Sequence, residues 1–317
     1  KPANDVKPTA AWGARVFLVF LASFVIQLVI VGLDWQLAIL YAMGLVIIFM
    51  GMGRIIAETG MFFIQPATFS SVMLVGFFGA QALGPVPVLI MMMLGTVILV
   101  DPREAMVPFI TNAFKTAEMQ DVKIGRTGMA CGVALVIGLA VAIPTQLYLQ
   151  YDRGSNMADQ WASKHVPSFA FDGAVRIHDR LDATGKLEEA NARSGWARFA
   201  AVSPAKGFIV ATASGLLLVL LFTFLRLRFP KWPLHPVMFL IWSCYPGKLF
   251  AISFLIGCGI KRLVTKYGGP KIYRKLKPLM FGLIAGEVLA GLVPTLIGLI
   301  YYLVTGDIPN SFRIMPG

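Results

Sequence analysis

Long apolar stretches, separated by short polar segments, dominate the chain. Five of them contain 19 to 26 residues each: 12–33, 35–53, 128–149, 207–225 and 279–304. A helix of about 20 apolar residues is long enough to cross a bilayer. The pattern therefore predicts five membrane-spanning helices.

Two further apolar runs, 61–100 and 232–263, carry helix-breaking residues in their interior. The first is interrupted at "LGPVP", residues 83–87, and the second at "CYPGK", residues 244–248. Irregular backbone at membrane depth is tolerated only where it is buried or lines a cavity, so two matched interruptions favour a solute pathway. The alternative is that proline and glycine simply occur often in membrane helices.

Basic residues at the ends of these runs predict how the chain crosses the membrane. The strongest basic cluster lies within 261–277 and a second lies within 226–231. Such clusters mark cytoplasmic loops. Run 232–263 lies between the two clusters, and Arg54 and Arg103 flank the earlier run. Both runs are therefore expected to be hairpins that enter and leave on the cytoplasmic side.

The same orientation predicts on which side of the membrane the remaining segments lie. Segment 101–121 mixes charged and apolar residues, and it opens with Asp101, Pro102 and Glu104, which match a helix start with a capping box. We expect this segment to be a helix on the cytoplasmic membrane surface. The polar segment 150–205 and the C-terminus are expected on the external side.

The predicted fold is an all-α, polytopic transmembrane helical bundle with two interrupted hairpin pairs and a cytoplasmic surface helix. Residues 1–149 are assigned two spans, the first hairpin, the surface helix and a third span. Residues 150–205 form the extramembrane insertion. Residues 206–317 are assigned a span, the second hairpin and the last span.

The composition is that of a membrane protein, and it also indicates which ligands to expect. The chain is 57% hydrophobic and only 14% charged, with a mean hydropathy of +0.74 and a net charge of +12. Soluble domains carry about 25% charged residues. The basic residues flank apolar runs, so we expect contact with membrane lipid and no nucleic-acid binding. Cys131, Cys244 and Cys258 lack metal-ligand spacing, and no metal or cofactor is expected.

An acidic residue, Glu287, lies inside the last apolar run. A carboxylate near the centre of a bilayer costs about 2.5–3.5 kcal/mol on insertion scales, so it is expected to face a polar cavity or a partner. Glu287 either couples protons or contacts substrate, or it pairs with Lys277 or with another helix. The spacing of Gly282, Gly286 and Ala290 predicts a small-residue face for close helix packing.

Other polar side chains in or beside the hairpins are candidates for the lining of a solute and proton pathway. The candidates are Glu58, Gln65, Ser70, Ser71, Gln81 and His235. The alternatives are structural: an interfacial ion pair between Glu58 and Arg54, hydroxyl bonds to backbone carbonyls, and an interfacial hydrogen bond from His235. The chain contains no HExxH, Walker loop or GxSxG motif, so we expect no enzymatic activity.

Two motifs carry a family resemblance. "GLIAGE", residues 282–287, resembles a motif of the oligopeptide transporter superfamily, which comprises proton-coupled carriers of peptides and metal chelates. The run 232–264 is similar to the superfamily's preceding element, with a proline-opened apolar run, a break, and an ending like that of Gly257–Arg262. The pattern from Tyr267 to Glu287 is most similar to a bacterial branch of these membrane proteins.

The resemblance is specific over 232–291 and loose over the rest of 12–304, where the run 61–100 matches an earlier hairpin in position. It departs from the better-known carriers around 232–242 and in the long external insertion. Superfamily members have two pseudo-symmetric halves, and this chain is similar to the C-terminal half. The resemblance implies that an N-terminal half, a partner membrane subunit or a second copy of the chain is present.

Taken with the broken helices, the resemblance implies a function. We expect a secondary transporter in a bacterial inner membrane that takes up peptide-like or metal-chelate solutes by proton symport. Glu287 would carry the proton or orient a hairpin. The alternative is a non-transporting integral membrane subunit or scaffold of a larger complex, which binds lipid or a partner through 150–205.

Overall fold

The computed structural model of the protein describes residues 6–59, 65, 66, 68–99, 106–154, 161–229, 232–242, 245–307 and 309. Over these residues the chain forms helices and turns and no strand. The predicted all-α class is therefore confirmed. The chain divides into two compact units, residues 1–248 and residues 249–317.

The first unit contains most of the helices. In chain order they are α1 (Val6–Ile30), α2 (Trp35–Thr59), α3 (Ser70–Phe78), α4 (Ala80–Leu83), α5 (Pro85–Leu99), α6 (Met106–Met119), α7 (Ile124–Arg153), a π-helical turn (Trp161–His165), α8 (Val166–Ala183), α9 (Leu187–Ala192), a 3-10 helix (Gly195–Ala201), α10 (Lys206–Arg228) and α11 (Val237–Trp242).

The second unit consists of the C-terminal helices. Helix α12 (Tyr245–Leu263) begins just before the division, a π-helical turn (Val264–Gly268) follows it, and α13 (Gly269–Thr305) is the last helix of the described chain. Five helical stretches among the described residues are long and apolar enough to cross a membrane. They are Ala11–Ile30, Trp35–Thr59, Ile124–Asp152, Lys206–Arg228 and Leu249–Thr305.

The first interrupted run forms what we call hairpin 1, residues 70–99, made of α3, α4 and α5. One of its two breaks lies within the predicted stretch 83–87, and the other, at Gly79, was not predicted. The two breaks lie at Gly79 and Gly84, whose φ angles are +85° and +73°. Pro85 and Pro87 lie in the first turn of α5. Proline is tolerated there because first-turn N–H groups have no partner within the helix.

The second interrupted run is described as two helices on either side of the beginning of the predicted break. Pro246 and Gly247 lie in the first turn of α12, which begins at Tyr245. The preceding helix, α11, ends at Trp242. The two residues between these helices, 243 and 244, lie outside the described residues.

The core of the first unit is formed where α1, α2, hairpin 1 and α8 meet. Leu28, Tyr41, Met91 and Ala170, one residue from each of the four, are each at most 2% exposed. Burial of these side chains is the main force that holds the four elements together. Ala170 belongs to the segment predicted as an external insertion, so part of that segment is built into the core.

Helix α8 packs along α5 through small residues. A Cβ on Gly173 would overlap the end of the Met92 side chain, which shows how closely the two helices approach. The rings of Phe69 and Phe169 meet edge to face, 5.7 Å apart. Such pairs add about 0.5–1.5 kcal/mol beyond their buried area. The insertion is therefore fixed to hairpin 1 and does not form a separate body within the first unit.

The segment predicted as a surface helix contains a helix, α6; its place at the membrane surface stays a prediction. The helix packs against the C-terminal half of α2, where a Cβ on Gly53 would lie 3.5 Å from the Thr111 hydroxyl, and its Phe114 ring lies close to Gly128 of α7. The predicted capping residues, 101–104, lie outside the described residues. Helix α6 is amphipathic: it alternates buried positions such as Ala117 with exposed ones such as Lys115.

Candidate functional site

Polar side chains cluster beside hairpin 1 at two places. One is the base of the hairpin, where α3 begins beside α2. The other is the tip, where the two glycine breaks lie. We call them the hydroxyl cluster (Tyr41, Ser70, Ser71) and the tip cluster (Asp34, Gln81, Arg198).

In the hydroxyl cluster all three side chains are buried, with at most 1% exposed. The Ser70 hydroxyl donates a hydrogen bond of 3.0 Å to the backbone carbonyl of Tyr41. This contact needs Gly44, because a Cβ there would overlap the Ser70 hydroxyl. Serine at 70 thus bonds a backbone carbonyl, which was one of the two roles considered for it.

The other two hydroxyls have no hydrogen-bond partner among the described residues. They are Tyr41 Oη and Ser71 Oγ. Both lie beside Gly95 of α5, at 3.6 Å and 3.8 Å from the point where a Cβ would be. A buried hydroxyl without a partner costs about 1–3 kcal/mol. The two hydroxyls beside Gly95 are therefore candidate hydrogen-bonding groups for a polar ligand atom.

The tip cluster is organised by Arg198 of the 3-10 helix, which is only 9% exposed. Its Nε donates to Asp34 Oδ2 at 2.5 Å. Its Nη1 donates to the carbonyls of Leu83 at 2.5 Å and Ala82 at 3.5 Å. The guanidinium thus joins the α1–α2 turn to the end of α4 and supplies donors to carbonyls that the break at Gly84 leaves without helical partners.

At the other break, Gly79, the segment that follows the 3-10 helix supplies the hydrogen-bond donors. The Ser203 amide donates to the Phe78 carbonyl at 3.0 Å, and the Ala205 amide donates to the Gly76 carbonyl at 3.1 Å. Irregular backbone in an apolar environment is stable only when such groups are paired. Segment 195–205 is therefore what makes both interruptions of hairpin 1 tolerable.

Gln81, predicted as a pathway residue, takes part in the same contacts. Its side-chain oxygen accepts a hydrogen bond of 3.2 Å from Lys186 Nζ, and its backbone carbonyl accepts one of 3.4 Å from Arg193. Arg193 also pairs with Glu189. Gln81 thus has cationic partners at the tip.

A cleft of about 510 Å³ opens beside the tip cluster. Its walls are mainly apolar, with polar groups from Arg198, His178 and Asn191. A concave, mostly apolar cleft with a few convergent polar groups is typical of small-molecule sites. The other lining residues are Gly32, Gly84, Pro85, Val86, Pro87, Leu89, Phe171, Ala174, Val175 and Ala190.

The remaining candidates in the first unit lie away from both clusters. Glu58 pairs with Arg54 at 3.0 Å on the exposed end of α2, as the i,i+4 spacing predicts. The Nδ1 atom of His235 accepts a hydrogen bond of 3.1 Å from the Val237 amide, which closes the turn before α11. Gln65 is half-buried. The structure therefore groups Ser70 with Ser71 and places Gln81 at the tip.

Glu287 lies in the second unit. Within that unit it is exposed on α13, and so is Ala290. Apart from the backbone of α13 itself, no atom of the described residues lies within 4 Å of a Cβ built on Gly282 or Gly286. The predicted small-residue face lies on α13, and no helix packs on it in the described part of its unit. Its role in packing stays a prediction.

Comparison with known protein families gives one match. The profile of a family of unknown function, DUF6785, matches residues 6–308, which is nearly the whole chain. The chain belongs to the DUF6785 family. No curated protein and no solved structure matches it.

Three important residues of this DUF6785 protein were not predicted from the sequence. They are Asp34, Tyr41 and Arg198. A signal existed for Asp34, a lone acid in the short turn between two spans, and for Arg198, which required a partner somewhere in the polar insertion. Nothing in the sequence distinguishes Tyr41 from other tyrosines in apolar runs. Across the described residues no group of three or more His, Cys, Asp or Glu is placed to hold a metal ion.

Proposed function

We propose that this DUF6785 protein is a secondary transporter, or one half of one, that moves peptide-like or metal-chelate solutes across a bacterial inner membrane together with protons. The observation that carries the proposal is hairpin 1. It is a twice-interrupted helical hairpin that is held inside the helical core and has two unpartnered buried hydroxyls at its base.

The two breaks in hairpin 1 have an energetic cost that the chain offsets. Interrupting a helix in an apolar environment costs backbone hydrogen bonds, and this chain replaces them with donors from Arg198, Ser203 and Ala205. Transporters place discontinuous helices at the solute site, and here, where the freed carbonyls have protein donors, the side chains of Tyr41 and Ser71 are left to contact a solute. A purely structural span would need none of these replacements.

The two polar clusters and Glu287 have different roles in this proposal. The cleft beside Arg198 receives the solute on one side of hairpin 1, and Tyr41 and Ser71 offer hydrogen bonds at the other end of the hairpin. Glu287 is the proton-coupling acid. The resemblance of "GLIAGE" to oligopeptide carriers supports the solute class.

Uptake into proteoliposomes tests the proposal. Full-length protein is reconstituted, a proton gradient is imposed, and accumulation is measured for a panel of peptides and metal chelates. We expect uptake of at least one solute that collapses with a protonophore. Ser71→Ala and Tyr41→Phe should each lower uptake about tenfold, since one good hydrogen bond is worth about 1.4 kcal/mol.

The matched control is Ser214→Ala, which makes the same change on α10, where the hydroxyl bonds only the Ala211 carbonyl of its own helix. It should leave uptake unchanged. Glu287→Gln should abolish the proton dependence. Absence of uptake across the panel, with the protein correctly inserted, would contradict transport. Stoichiometric co-purification with a large complex would then support the non-transporting subunit.

A further inference from the structure

A second polar surface lies on the C-terminal unit and has no part in the proposed transport. It is the segment Lys261–Lys277, which we call the basic turn. It comprises the end of α12, the π-helical turn and the beginning of α13. Seven of its 17 residues are cationic and none is acidic. The cations are Lys261, Arg262, Lys266, Lys271, Arg274, Lys275 and Lys277.

All seven cationic residues are exposed, and none pairs with a carboxylate among the described residues. A dense like-charge cluster destabilises itself unless counter-charges are supplied. In other parts of the described chain several cations do have carboxylate partners, as Arg54 does in Glu58 and Arg198 in Asp34. The basic turn therefore favours the binding of anions.

The position of the basic turn indicates where those anions come from. Apolar helix precedes it up to Ile260, and apolar helix resumes at Leu279. The helical stretch that contains it, Leu249–Thr305, is long and apolar enough to cross a membrane. A polar turn between two apolar stretches lies at the level of the lipid headgroups.

Two tyrosines hold three of the lysines in place. Lys261 and Lys277 have their Nζ atoms 5.9 Å and 5.4 Å from the centre of the Tyr273 ring, and Lys266 lies 5.4 Å from the Tyr267 ring. Such contacts restrict where the charges can lie. Tyrosine is also the residue type that prefers the headgroup layer.

Three of the other cations share a groove. Lys271, Arg274 and Lys275 line it together with Pro270, and its volume is about 570 Å³. The i, i+3, i+4 spacing places the three cations on one face of α13. An arginine fork flanked by two ammonium groups matches a phosphate, because arginine binds phosphate with two parallel hydrogen bonds.

We propose that this groove binds the phosphate headgroup of an anionic phospholipid. The general tendency of cytoplasmic loops to be basic accounts for the sign of the charge. It requires neither a shared groove nor tyrosines that order the neighbouring lysines. The ligand chemistry is that of a phosphodiester carried by a lipid, with the acyl chains lying against the exposed apolar surface of α13.

Native mass spectrometry of the detergent-solubilised full chain tests this proposal. The probes are short-chain phosphatidylglycerol, phosphatidylcholine with the same chains, and inorganic phosphate. We expect phosphatidylglycerol to bind at least tenfold more tightly than phosphatidylcholine, and millimolar phosphate not to displace it. Raising the salt concentration should weaken binding, because screening reduces attraction between exposed charges.

The variant Lys271→Gln/Arg274→Gln/Lys275→Gln should lose about 100-fold in affinity for phosphatidylglycerol, since each basic residue near an anionic surface contributes about fivefold. The matched control, Lys115→Gln/Lys123→Gln/Arg126→Gln, removes the same charge from exposed positions on and beside α6 and α7. It should keep wild-type affinity.

Three results would overturn the proposal. Equal affinity for the two lipids would remove the role of the negative charge. Equal losses in the two triple variants would reduce the effect to net charge. Displacement by inorganic phosphate would identify the groove as a site for a free anion. Because none of these measurements involves uptake, their outcome is independent of whether the protein is a transporter.

Discussion

Arg198 is expected to be the most sensitive single side chain of the first unit. Replacing it by alanine removes the donors to Asp34 and to the carbonyls of Ala82 and Leu83 at once. Asp34 then remains as a largely buried carboxylate, 22% exposed, without a countercharge. The end of α4 loses its replacement hydrogen bonds at the same time.

The expected magnitude follows from burial. Removing one partner of a buried ion pair costs about 3–5 kcal/mol. Because Asp34 keeps some contact with solvent, we expect Arg198→Ala to lower the free energy of unfolding by about 3 kcal/mol, near the lower end of this range. That corresponds to a fall of about 4–5 °C in the thermal midpoint, because the entropy of unfolding is about 2.1 cal/mol/K per residue and the chain has 317 residues. The thermal midpoint of Arg198→Lys should lie between those of the wild type and Arg198→Ala, because lysine keeps the charge but lacks the rigid fork that reaches both partners.

The assay is thermal unfolding in detergent, followed by tryptophan fluorescence and by helical circular dichroism. Trp35 and Trp196 meet edge to face, 5.9 Å apart, beside the tip cluster, so fluorescence reports on this region directly. Arg176→Ala is the matched control, because Arg176 is exposed on α8 and bonds only the Asp172 carbonyl. It should change stability by less than about 0.5 kcal/mol.

A double-mutant cycle with Asp34→Ala separates the ion pair from the carbonyl bonds. The double variant should be more stable than the sum of the two single effects predicts, by about 1–3 kcal/mol. Strict additivity would refute the ion pair. If Arg198→Ala lowered the midpoint no more than Arg176→Ala, the whole account of the tip cluster would be wrong.

Three further predictions concern the hairpin and the orientation of the chain. Gly79→Ala should destabilise the protein by at least about 2 kcal/mol in thermal unfolding, because φ is +85° and a Cβ would overlap the Ser203 carbonyl. Gly132→Ala on α7, which has open space around it, should be neutral or stabilising by up to about 1 kcal/mol. Ser70→Ala should cost about 1 kcal/mol of stability and Ser71→Ala none, since only Ser70 has a bond to lose; the reverse order would show that the assignment is wrong. A reporter fused at Asp172 should be found on the external side, and a cytoplasmic signal there would contradict the predicted topology.

The sequence predicts the fold class because long apolar stretches leave few alternatives. It predicts the breaks in part. The predicted break at 83–87 contains the observed break at Gly84, but Pro85 and Pro87 begin α5 instead of ending a helix, and the break at Gly79 was not predicted. Proline marks a helix start as readily as a helix end, and local sequence cannot distinguish these uses.

The candidate site was only partly predictable for a related reason. Ser70, Ser71 and Gln81 could be selected because a polar side chain in an apolar run requires a partner. The identity of that partner depends on contacts between distant segments. Asp34 and Arg198 are 164 residues apart in the chain, and no periodicity or spacing rule connects them. The sequence predicted the insertion only as an external segment, because charged residues on its outer face conceal the small residues that pack on α5.

The way hairpin 1 is completed has a consequence for biosynthesis. The arginine that pairs with the Leu83 carbonyl follows it by 115 residues, so the tip is synthesised long before its donor. Until Arg198, Ser203 and Ala205 leave the ribosome, the carbonyls at both breaks have water as their only ready partner. We therefore expect hairpin 1 to remain hydrated, or at the membrane surface, while α6 to α9 are made, and to enter its final position only afterwards. A nascent chain stopped before residue 195 should then hold an unfinished hairpin.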